Sequence, residues 1–477
     1  MVNRASTGVE GLDRVLGGGL LEARNYMIRG KPGTGKTLLG LSFLEEGVEQ
    51  DGESLFIALG ESIDDVREDT ESIDINLEDV EFLDLTPSSE FFEEEKTYSV
   101  FESDEVEQSP ITRSINRRVS ELEPDRIFVD PITHFRYISR DQYQFRKNVL
   151  SFLRLLKDVE GILMFTSEST ENTPDDDLKF MSDGVITMDY SDEGRTLEVE
   201  KFRGSEFRGG RHSVKIDDGG VSVYPILVPR RHGSGFEDSL LSSGLSSLDR
   251  ILGGGVERGT VTMLTGPSGV GKTTLGSVFM KEAANRSHRS AIYMFEELTD
   301  TYFHRCENID IPVNEMVEDG SLKVEEVEPL MTSPQEFAHE VRNDVEKRDT
   351  RVVMIDGVDG YRLSLLGGEE NVTQKLHALC RYLRRMGVTV FLVNEVNNVT
   401  GEFVVSENDI SYLADNIVML SYLEVDSEMM KSVGVLKKRA SDFERKLREF
   451  RITGDGVEVG EPLDGMTGVL TGTPETE

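Results

Sequence analysis

Hydrophobic and polar positions alternate between two kinds of stretch along the chain. Short continuous runs of apolar and β-branched residues form one kind: YMIRG, SLFIAL, RIFVD, ILMFTS and GVITM in the first half, then TMLTG, AIYMF, VVMID, VFLVN and NIVML. The other kind places apolar residues three or four positions apart, as in FRKNVLSFLRLLKD and QKLHALCRYLRRMG, which predicts helices. Continuous apolar runs predict strands that are buried on both faces. The pattern therefore predicts an α/β fold with a mostly parallel sheet flanked by helices.

The sequence contains the same unit twice, once in each half. STGVEGLDRVLGGGLLEARNYMIRGKPGTGKTLLG opens the chain, and SSGLSSLDRILGGGVERGTVTMLTGPSGVGKTTLG opens its second half. Lys36 pairs with Lys272 at an offset of 272 − 36 = 236, and Lys201 pairs with Lys437 at the same offset. A repeat that stays in register over this distance predicts a tandem duplication.

The joint between the copies is rich in Pro, Gly, Ser and charged residues. It reads VPRRHGSGFEDS over residues 228–239, which predicts a linker. We therefore expect one domain over residues 1–227 and a second over residues 240–462. The remaining residues, 463–477, contain GMTGVLTGTPETE and predict a disordered tail.

Two glycine-rich loops fit the pattern GxxxxGK[ST], and each lies between a predicted strand and a predicted helix. In that context, backbone N–H groups and the helix N-terminus surround phosphate oxygens, and the lysine reaches the β and γ phosphates of ATP. The predicted nucleotide-binding residues are Gly30, Lys31, Pro32, Gly33, Thr34, Gly35, Lys36, Thr37, Gly266, Pro267, Ser268, Gly269, Val270, Gly271, Lys272, Thr273 and Thr274.

Each loop needs a neighbouring acid to complete a Mg²⁺ site. The strand RIFVD ends on Asp130, and the strand VVMID ends on Asp356. Together with the hydroxyls of Thr37 and Thr273, these carboxylates are the predicted Mg²⁺ ligands. The alternative interpretation is that each aspartate is a turn residue that ends its strand.

Further carboxylates follow the strand that comes after each loop. AIYMFEEL carries Glu296 and Glu297, whereas LFIALGES keeps Glu61 but has Gly60 in the other position. A carboxylate here can orient and deprotonate the water that attacks ATP, and adjacent carboxylates raise one another's pKa. We therefore predict that Glu296, Glu297 and Glu61 are catalytic, and that the second half is better equipped. The alternative is an acidic N-cap for the following helix.

A Lys-x-Arg pair lies late in each half. EVEKFRGSEF contains Lys201 and Arg203, and GVLKKRASDF contains Lys437 and Arg439. Residues two apart on a strand point to the same side, so each pair can present two cations to one phosphate. The alternative is a pair of solvated cations on an edge strand.

These motifs together resemble the KaiC family of RecA-like ATPases over nearly the whole chain, to about Pro462. The resemblance implies two tandem RecA-like P-loop NTPase domains and a homo-oligomeric ring, expected to be a hexamer, with ATP and Mg²⁺ between adjacent subunits. It implies that the glutamates serve catalysis and that the Lys-x-Arg cations contact the neighbour's nucleotide in trans. The family commonly places a histidine after this pair, whereas here Phe207 and Phe443 lie near those positions.

The protein after which this family is named also phosphorylates adjacent Ser and Thr residues in its second domain. The matching segment NDISYLADNIVML keeps Ser411 and has Tyr412 in place of the threonine. Ser411 is therefore a candidate phosphoacceptor, and the alternative is a helix cap or a packing residue. We expect an ATPase with regulatory output through an unidentified signalling protein partner, with serine autokinase activity as an open addition.

The charge of the chain bears on its environment and its partners. Asp and Glu number 90 against 52 Lys and Arg, which gives a net charge of −38 spread along the chain. This excess predicts adaptation to a high-salt cytoplasm and, with the resemblance, a halophilic archaeal source; an ordinary acidic protein is the alternative. An acidic surface disfavours nucleic acid, and so disfavours a RecA- or RadA-like recombination ATPase. A nucleotide-gated assembly scaffold is the third hypothesis.

The two cysteines, Cys306 and Cys380, cannot form a disulfide framework, which favours a reducing compartment. The opening MVNRASTGVEGLDR lacks the apolar segment of a signal peptide, and no apolar run approaches the length of a membrane span. We therefore expect a cytoplasmic protein that has no membrane partner.

Overall fold

The structure is a computed structural model whose described residues fall into two compact units, Met1–Ile226 and Leu227–Glu477. The predicted linker lies outside the described residues apart from its last position. The described residues are 3–86, 110–136, 139, 141–157, 161–168, 175–191, 194–227, 239–328, 330–365, 369–396, 410–425, 428–463, 466–467 and 475–476.

The first unit alternates strands and helices, as the hydrophobic pattern predicts. Its strands are β1 (Arg4–Ala5), β2 (Leu20–Leu21), β3 (Asn25–Arg29), β4 (Ser54–Ala58), β5 (Glu81–Asp84), β6 (Arg126–Asp130), β7 (Ile162–Ser167), β8 (Gly184–Ser191), β9 (Gly194–Phe202), β10 (His212–Asp217) and β11 (Gly220–Tyr224). Its helices are α1 (Glu10–Val15), α2 (Lys36–Glu49), α3 (Ile63–Thr70), α4 (Pro110–Leu122), α5 (Gln142–Lys157) and α6 (Asp176–Met181), with a 3-10 helix at Ile132–Arg136.

The described part of this unit builds one nine-stranded sheet in the order β11-β10-β9-β8-β3-β7-β6-β4-β5. Strands β8, β3, β7, β6, β4 and β5 are parallel, and β8 to β11 pair antiparallel at the other edge. Because the central strands are parallel, their carboxyl ends lie at one edge of the sheet. Sites in α/β proteins form at this edge.

The second unit repeats the same order of elements. Its strands are β12 (Leu240–Leu241), β13 (Val256–Glu257), β14 (Val261–Gly266), β15 (Arg289–Met294), β16 (Leu322–Glu326), β17 (Thr350–Asp356), β18 (Thr389–Glu395), β19 (Asn416–Val425), β20 (Glu428–Lys438), β21 (Arg448–Thr453), β22 (Gly456–Pro462), β23 (Met466–Thr467) and β24 (Glu475–Thr476). Its helices are α7 (Ser246–Ile251), α8 (Lys272–Asn285), α9 (Thr299–Glu307), α10 (Val313–Glu318), α11 (Pro334–Arg348), α12 (Val358–Ser364) and α13 (Glu369–Arg385), with a 3-10 helix at Ile410–Tyr412.

The nine-stranded sheet of the second unit follows the order β16-β15-β17-β18-β14-β19-β20-β21-β22. This order matches that of the first unit strand for strand, which is the structural counterpart of the sequence repeat. In the region predicted as a tail, the described residues form one antiparallel pair, β23 with β24. The predicted fold class, two tandem RecA-like P-loop domains with mostly parallel sheets flanked by helices, is confirmed.

Each sheet is buried on both faces. All five residues of β4 are buried, and their side chains alternate between two apolar clusters. Phe56 packs against Phe128 on one face, with 5.4 Å between ring centroids, whereas Leu55 and Ile57 join the cluster on the other face. Among the described residues, no helix combines the length and the apolar character needed to cross a bilayer.

Candidate functional site

Each glycine-rich loop connects a central strand to a long helix. Residues 30–37 lead from β3 into α2, and residues 266–273 lead from β14 into α8. Gly35 and Gly271 occupy the N-cap positions with φ of 99° and 112°, a conformation that residues with a Cβ rarely adopt. A Cβ on Gly271 would also lie 2.7 Å from Cδ1 of Ile452. The loops therefore need glycine where they turn into the helices.

The loop lysines are buried and folded back over their own loops. The Lys36 ammonium donates to the Lys31 carbonyl at 2.9 Å, and Lys272 donates to the carbonyls of Gly266 and Pro267 at 2.9 and 2.8 Å. Burial lowers the pKa of both lysines, and nearby carboxylates oppose that shift. Each ammonium is thus held at the helix N-terminus, where an anionic phosphate binds most favourably.

The predicted Mg²⁺ ligands lie together in both units. The Thr37 hydroxyl donates to Asp130 at 2.6 Å, and the Thr273 hydroxyl donates to Asp356 at 3.0 Å. A hydroxyl beside a carboxylate offers the oxygen donors that Mg²⁺ prefers, so these residues fit the ion. Burial raises the pKa of Asp130 and raises the pKa of Asp356 to about 7. A cation at this position would favour the charged carboxylates.

Sequence reasoning missed a further carboxylate at each site. Glu395 ends β18 and lies 3.8 Å from the Lys272 ammonium; Glu168 follows β7 and lines a cavity of about 320 Å³ with Lys36 and Thr37. The signal was present in the sequence, because ILMFTSE and VFLVNE place a glutamate at the same point in both halves. The strand order brings both glutamates to the phosphate loops.

The two glutamates of the second unit have separate partners. Glu296 Oε1 accepts a hydrogen bond from the Gly360 N–H at 3.0 Å, and Glu297 Oε2 pairs with Arg305 at 2.7 Å. Burial raises the pKa of both carboxyls, and for Glu297 the Arg305 guanidinium opposes the shift. Neither glutamate caps α9, whose N-cap residue is Leu298. The acidic-cap alternative is therefore wrong.

The first unit has different surroundings for its remaining glutamate. Glu61 lines the same cavity as Lys36, and its pKa is raised by burial first and then by the carboxylates of Asp130 and Asp69. Asp69 holds the position that Arg305 holds in the second unit, at the offset 305 − 69 = 236. Glu61 thus faces a negative charge where Glu297 faces a positive one.

The predicted trans-acting cations lie near the ends of β9 and β20. Lys201 and Lys437 lie in these strands, but Arg203 and Arg439 each lie one residue beyond the strand end, so the prediction that both members of a pair lie on a strand is wrong for the arginines. The pairing of each of these strands with its neighbour shifts register close to the strand end, at Val185/Ile186 for β8 with β9 and at Ile417/Val418 for β19 with β20.

The lysines and arginines of these pairs have different environments. Lys201 donates to three backbone carbonyls, those of Lys179, Phe180 and Ser182, at 2.7, 3.4 and 2.6 Å. Arg203 and Arg439 have side chains that are 55% and 51% exposed, and each lies near one aspartate, at 3.8 and 3.4 Å. In each pair, the arginine therefore exposes its charged group, whereas the lysine ammonium is bound by backbone carbonyls of its own unit.

Ser411 lies in the 3-10 helix before β19, and the Lys437 ammonium donates to its carbonyl at 3.3 Å and to the Ala414 carbonyl at 2.7 Å. Residues 397–409, which precede this helix, lie outside the described residues. The serine is thus placed beside one of the predicted trans-acting cations.

Comparison with known proteins agrees with this arrangement. A family model described as "ATPase: KaiC" matches residues 5–228 and again residues 241–464. A circadian clock oscillator protein KaiC from Parasynechococcus marenigrum is 25% identical, covering 99% of this chain and 93% of the relative. Circadian clock oscillator protein KaiC 1 from Synechocystis sp. is 26% identical, with coverage of 99% and 92%. Because the family model covers most of both units, the chain belongs to the KaiC family of ATPases.

Proposed function

We propose that this protein hydrolyses ATP with Mg²⁺, mainly in its second unit, and binds ATP in its first unit as a slower site. The observation that carries the proposal is the position of Glu296. Its carboxylate lies over Gly357, the residue that follows Asp356. A Cβ on this glycine would lie 2.7 Å from the carboxyl carbon of Glu296. Gly60 leaves the first unit without this group.

The residues of the second unit supply the parts of a phosphoryl-transfer site. Thr273 and Asp356 would hold Mg²⁺, which would supply positive charge to the β and γ phosphates when bound. Lys272 binds phosphate oxygens. Glu296 orients a water molecule and accepts its proton while the water oxygen bonds to the γ phosphorus. The bond from that phosphorus to the bridging oxygen breaks, and ADP leaves.

The assignment of the working unit is tested by comparing Lys36→Ala with Lys272→Ala in the full chain at high salt. We expect Lys272→Ala to lose most ATP turnover and Lys36→Ala to keep most of it. The double variant is the background control. Turnover that survives in Lys272→Ala and disappears in Lys36→Ala would reverse the assignment.

We also propose that the protein assembles into a homo-oligomeric ring, a hexamer, in which Lys201, Arg203, Lys437 and Arg439 contact the neighbour's nucleotide. The exposure of the two arginines supports this role. We propose that the assembling domains span residues 1–227 and 240–462. Arginine fingers contribute about 10³–10⁵ in rate, so their removal is easily measured.

A mixing experiment tests the trans contact. Arg439→Ala keeps an intact pocket but lacks the finger, whereas Glu296→Gln keeps the finger but has an impaired pocket. Each variant alone is expected to retain only the slower turnover of the first unit. A mixture that is assembled with ATP regains turnover, because some intact pockets then face an intact arginine. A mixture no more active than its parts would contradict the trans assignment, and light scattering gives the number of protomers.

A second activity, autophosphorylation of Ser411, is favoured by the contact between its backbone carbonyl and Lys437, one of the cations assigned to the neighbour's nucleotide. The test uses [γ-³²P]ATP and follows label on the protein as well as free phosphate. Label is expected on the wild type and on Tyr412→Phe, but not on Ser411→Ala. Full labelling of Ser411→Ala would remove Ser411 as the acceptor.

The net charge supports a proposal about environment and partners. We place the protein in the cytoplasm of a salt-adapted cell, a halophilic archaeon, with a signalling protein as its partner. The charge of −38 disfavours duplex DNA as a ligand. Tight DNA binding that weakens with salt would favour the recombination ATPase, and assembly with ATP but without turnover would favour the scaffold.

A further inference from the structure

The two units fill the space next to the phosphate loop in different ways. In the second unit, Glu296 lies over two glycines: a Cβ on Gly357 or on Gly360 would lie 2.7 Å from atoms of its side chain. The offset 356 − 130 = 226 between the Mg²⁺-binding aspartates maps these glycines onto Pro131 and His134 in the first unit. The first unit thus has two rings where the second has two glycines.

The same rings occupy the space of the missing glutamate. A Cβ on Gly60 would lie 2.7 Å from Cδ of Pro131 and 3.4 Å from Cε1 of His134. His134 also lines the cavity that contains Lys36, Glu61 and Asp130. The replacement is therefore reciprocal: where the glutamate is lost, an imidazole lies at the same side of the nucleotide pocket.

The structure fixes the orientation of this imidazole, and its hydrogen-bond partner indicates the tautomer. His134 belongs to the 3-10 helix that follows β6, and its Nδ1 lies 2.6 Å from the Leu59 carbonyl oxygen. A carbonyl oxygen only accepts hydrogen bonds, so Nδ1 carries the proton in the neutral ring. Nε2 is then the hydrogen-bond acceptor of the ring. A histidine held in this way is suited to general-base chemistry.

We infer that His134 is the catalytic base of the first unit, replacing the glutamate that Gly60 lacks. This inference rests on the proposed function, because it requires ATP in that pocket. Nε2 accepts a proton from water as the water oxygen bonds to the γ phosphorus and the bond to the bridging oxygen of ADP breaks. The proton leaves with the products when the ring returns to its neutral form.

The surrounding charges agree with this division of roles. Glu61 shares the cavity with Asp130, Glu168 and the ammonium of Lys36, and Asp69 lies nearby. In the second unit, Arg305 holds Glu297, and Glu296 provides the carboxylate over the two glycines. The first unit has no arginine in the position of Arg305, because Asp69 stands there. His134 supplies a base that carries no negative charge before it accepts the proton.

The test uses the full chain with Lys272→Ala, so that turnover reports on the first unit. His134→Asn is the decisive variant, because its side-chain amide can still donate to the Leu59 carbonyl but has no counterpart of Nε2. We expect kcat to fall by about 10²-fold or more, the usual effect of losing a general base, with KM for ATP and thermal stability nearly unchanged. His134→Gly with added imidazole is expected to recover part of the lost kcat.

Other outcomes separate this inference from the proposed function. If His134→Asn keeps its kcat while His134→Ala loses both kcat and thermal stability, His134 is a packing residue and the inference is wrong. If Lys272→Ala has no more turnover than the Lys36→Ala/Lys272→Ala double variant, the first unit does not hydrolyse ATP and the inference is also wrong. Absence of turnover in the wild type would instead contradict the proposed function itself.

Discussion

At the scale of single residues, the two units differ in charge more than in shape. Both keep a hydrogen bond from the loop threonine to the strand-end aspartate, and both fold the loop lysine back onto carbonyls of its own loop. They differ at Gly60 against Glu296 and at Asp69 against Arg305. The second unit therefore places an arginine next to its carboxylates, whereas the first concentrates negative charge around one glutamate. A negatively charged nucleotide meets a less repulsive pocket in the second unit.

Glu296 and Glu297 are expected to contribute unequally to catalysis. With Lys36→Ala as the background, Glu296→Gln should lower kcat by about 10²-fold or more while ATP binding is retained, because the proton acceptor is lost. Glu297→Gln should have a smaller effect, since its carboxylate is paired with Arg305. Steady-state turnover and nucleotide binding measure both effects.

The control for this pair is Glu282→Gln, which removes the ion pair between Glu282 of α8 and Arg286, the residue that follows the helix. The Arg286 side chain is 44% exposed, and ion pairs open to solvent contribute little to stability, so turnover should stay within about twofold of the background. A larger loss for Glu297→Gln than for Glu296→Gln would exchange the two roles.

The buried residue His212 makes the stability of the first unit depend on pH. Its Nε2 donates to the Arg208 carbonyl at 3.1 Å, its Nδ1 accepts from the Ile226 N–H at 3.1 Å, and burial lowers its pKa. A lowered pKa means that the unfolded chain binds the proton more tightly. The stabilising contribution is therefore complete above about pH 6.5 and is lost as the pH falls toward the folded pKa.

This effect is measured by urea unfolding, followed by circular dichroism, between about pH 7.5 and 5.5. The wild type should lose up to about 1.4 kcal/mol per pH unit more than His212→Gln, whose amide can make both hydrogen bonds without titrating. Equal slopes for the two proteins would show that His212 does not carry the dependence.

Single residues were predictable where a motif fixes their neighbours along the chain. The loop residues, Asp130 and Asp356 follow from strand ends and glycine spacing. Arg305 was not predictable, because its contact with Glu297 depends on how α9 turns back over the strand end. His134 was missed because a lone histidine after an aspartate gives no periodic signal. Only the fold shows that it fills the space beside Gly60.

At the scale of elements, capping residues define where helices begin. The Ser333 hydroxyl accepts from the Glu336 N–H at 3.1 Å, the Glu336 carboxylate accepts from the Ser333 N–H at 3.4 Å, and Pro334 is the first residue of α11. This capping box predicts that Ser333→Ala lowers the free energy of unfolding by about 1 kcal/mol.

Urea unfolding measures the loss. The matched control is Ser246→Ala, at the exposed first residue of α7, where a change within about 0.5 kcal/mol is expected. Equal destabilisation by the two substitutions would mean that the capping box does not stabilise α11.

The strands were the most predictable elements, because their apolar runs are continuous and lie between clear turns. RIFVD and ILMFTS match β6 and β7 residue for residue. The ends of β9 and β20 were not predictable, since the irregular register within each antiparallel pair decides where the strand stops. Periodicity in one segment contains no information about a partner strand's register.

At the scale of the whole molecule, the net charge of −38 predicts a strong dependence of stability on salt. Repulsion among carboxylates destabilises the folded chain, and screening shortens from about 10 Å at 0.1 M salt to about 3 Å at 1 M. The melting temperature should therefore rise steadily from about 0.1 M to about 1 M KCl. Differential scanning calorimetry measures the rise, and a fall over this range would contradict salt adaptation.

The backbone contacts of Lys201 bear on how protomers would meet. An ammonium has three donors, and the three carbonyls that receive hydrogen bonds from Lys201 match that number. A free lysine side chain loses about 1.5–2 kcal/mol of rotamer entropy when it is immobilised. Here that loss accompanies folding of the protomer. An arriving subunit would thus encounter a preorganised cation that acts on the neighbour's nucleotide through its charge, and the ordering of this side chain would not oppose association again.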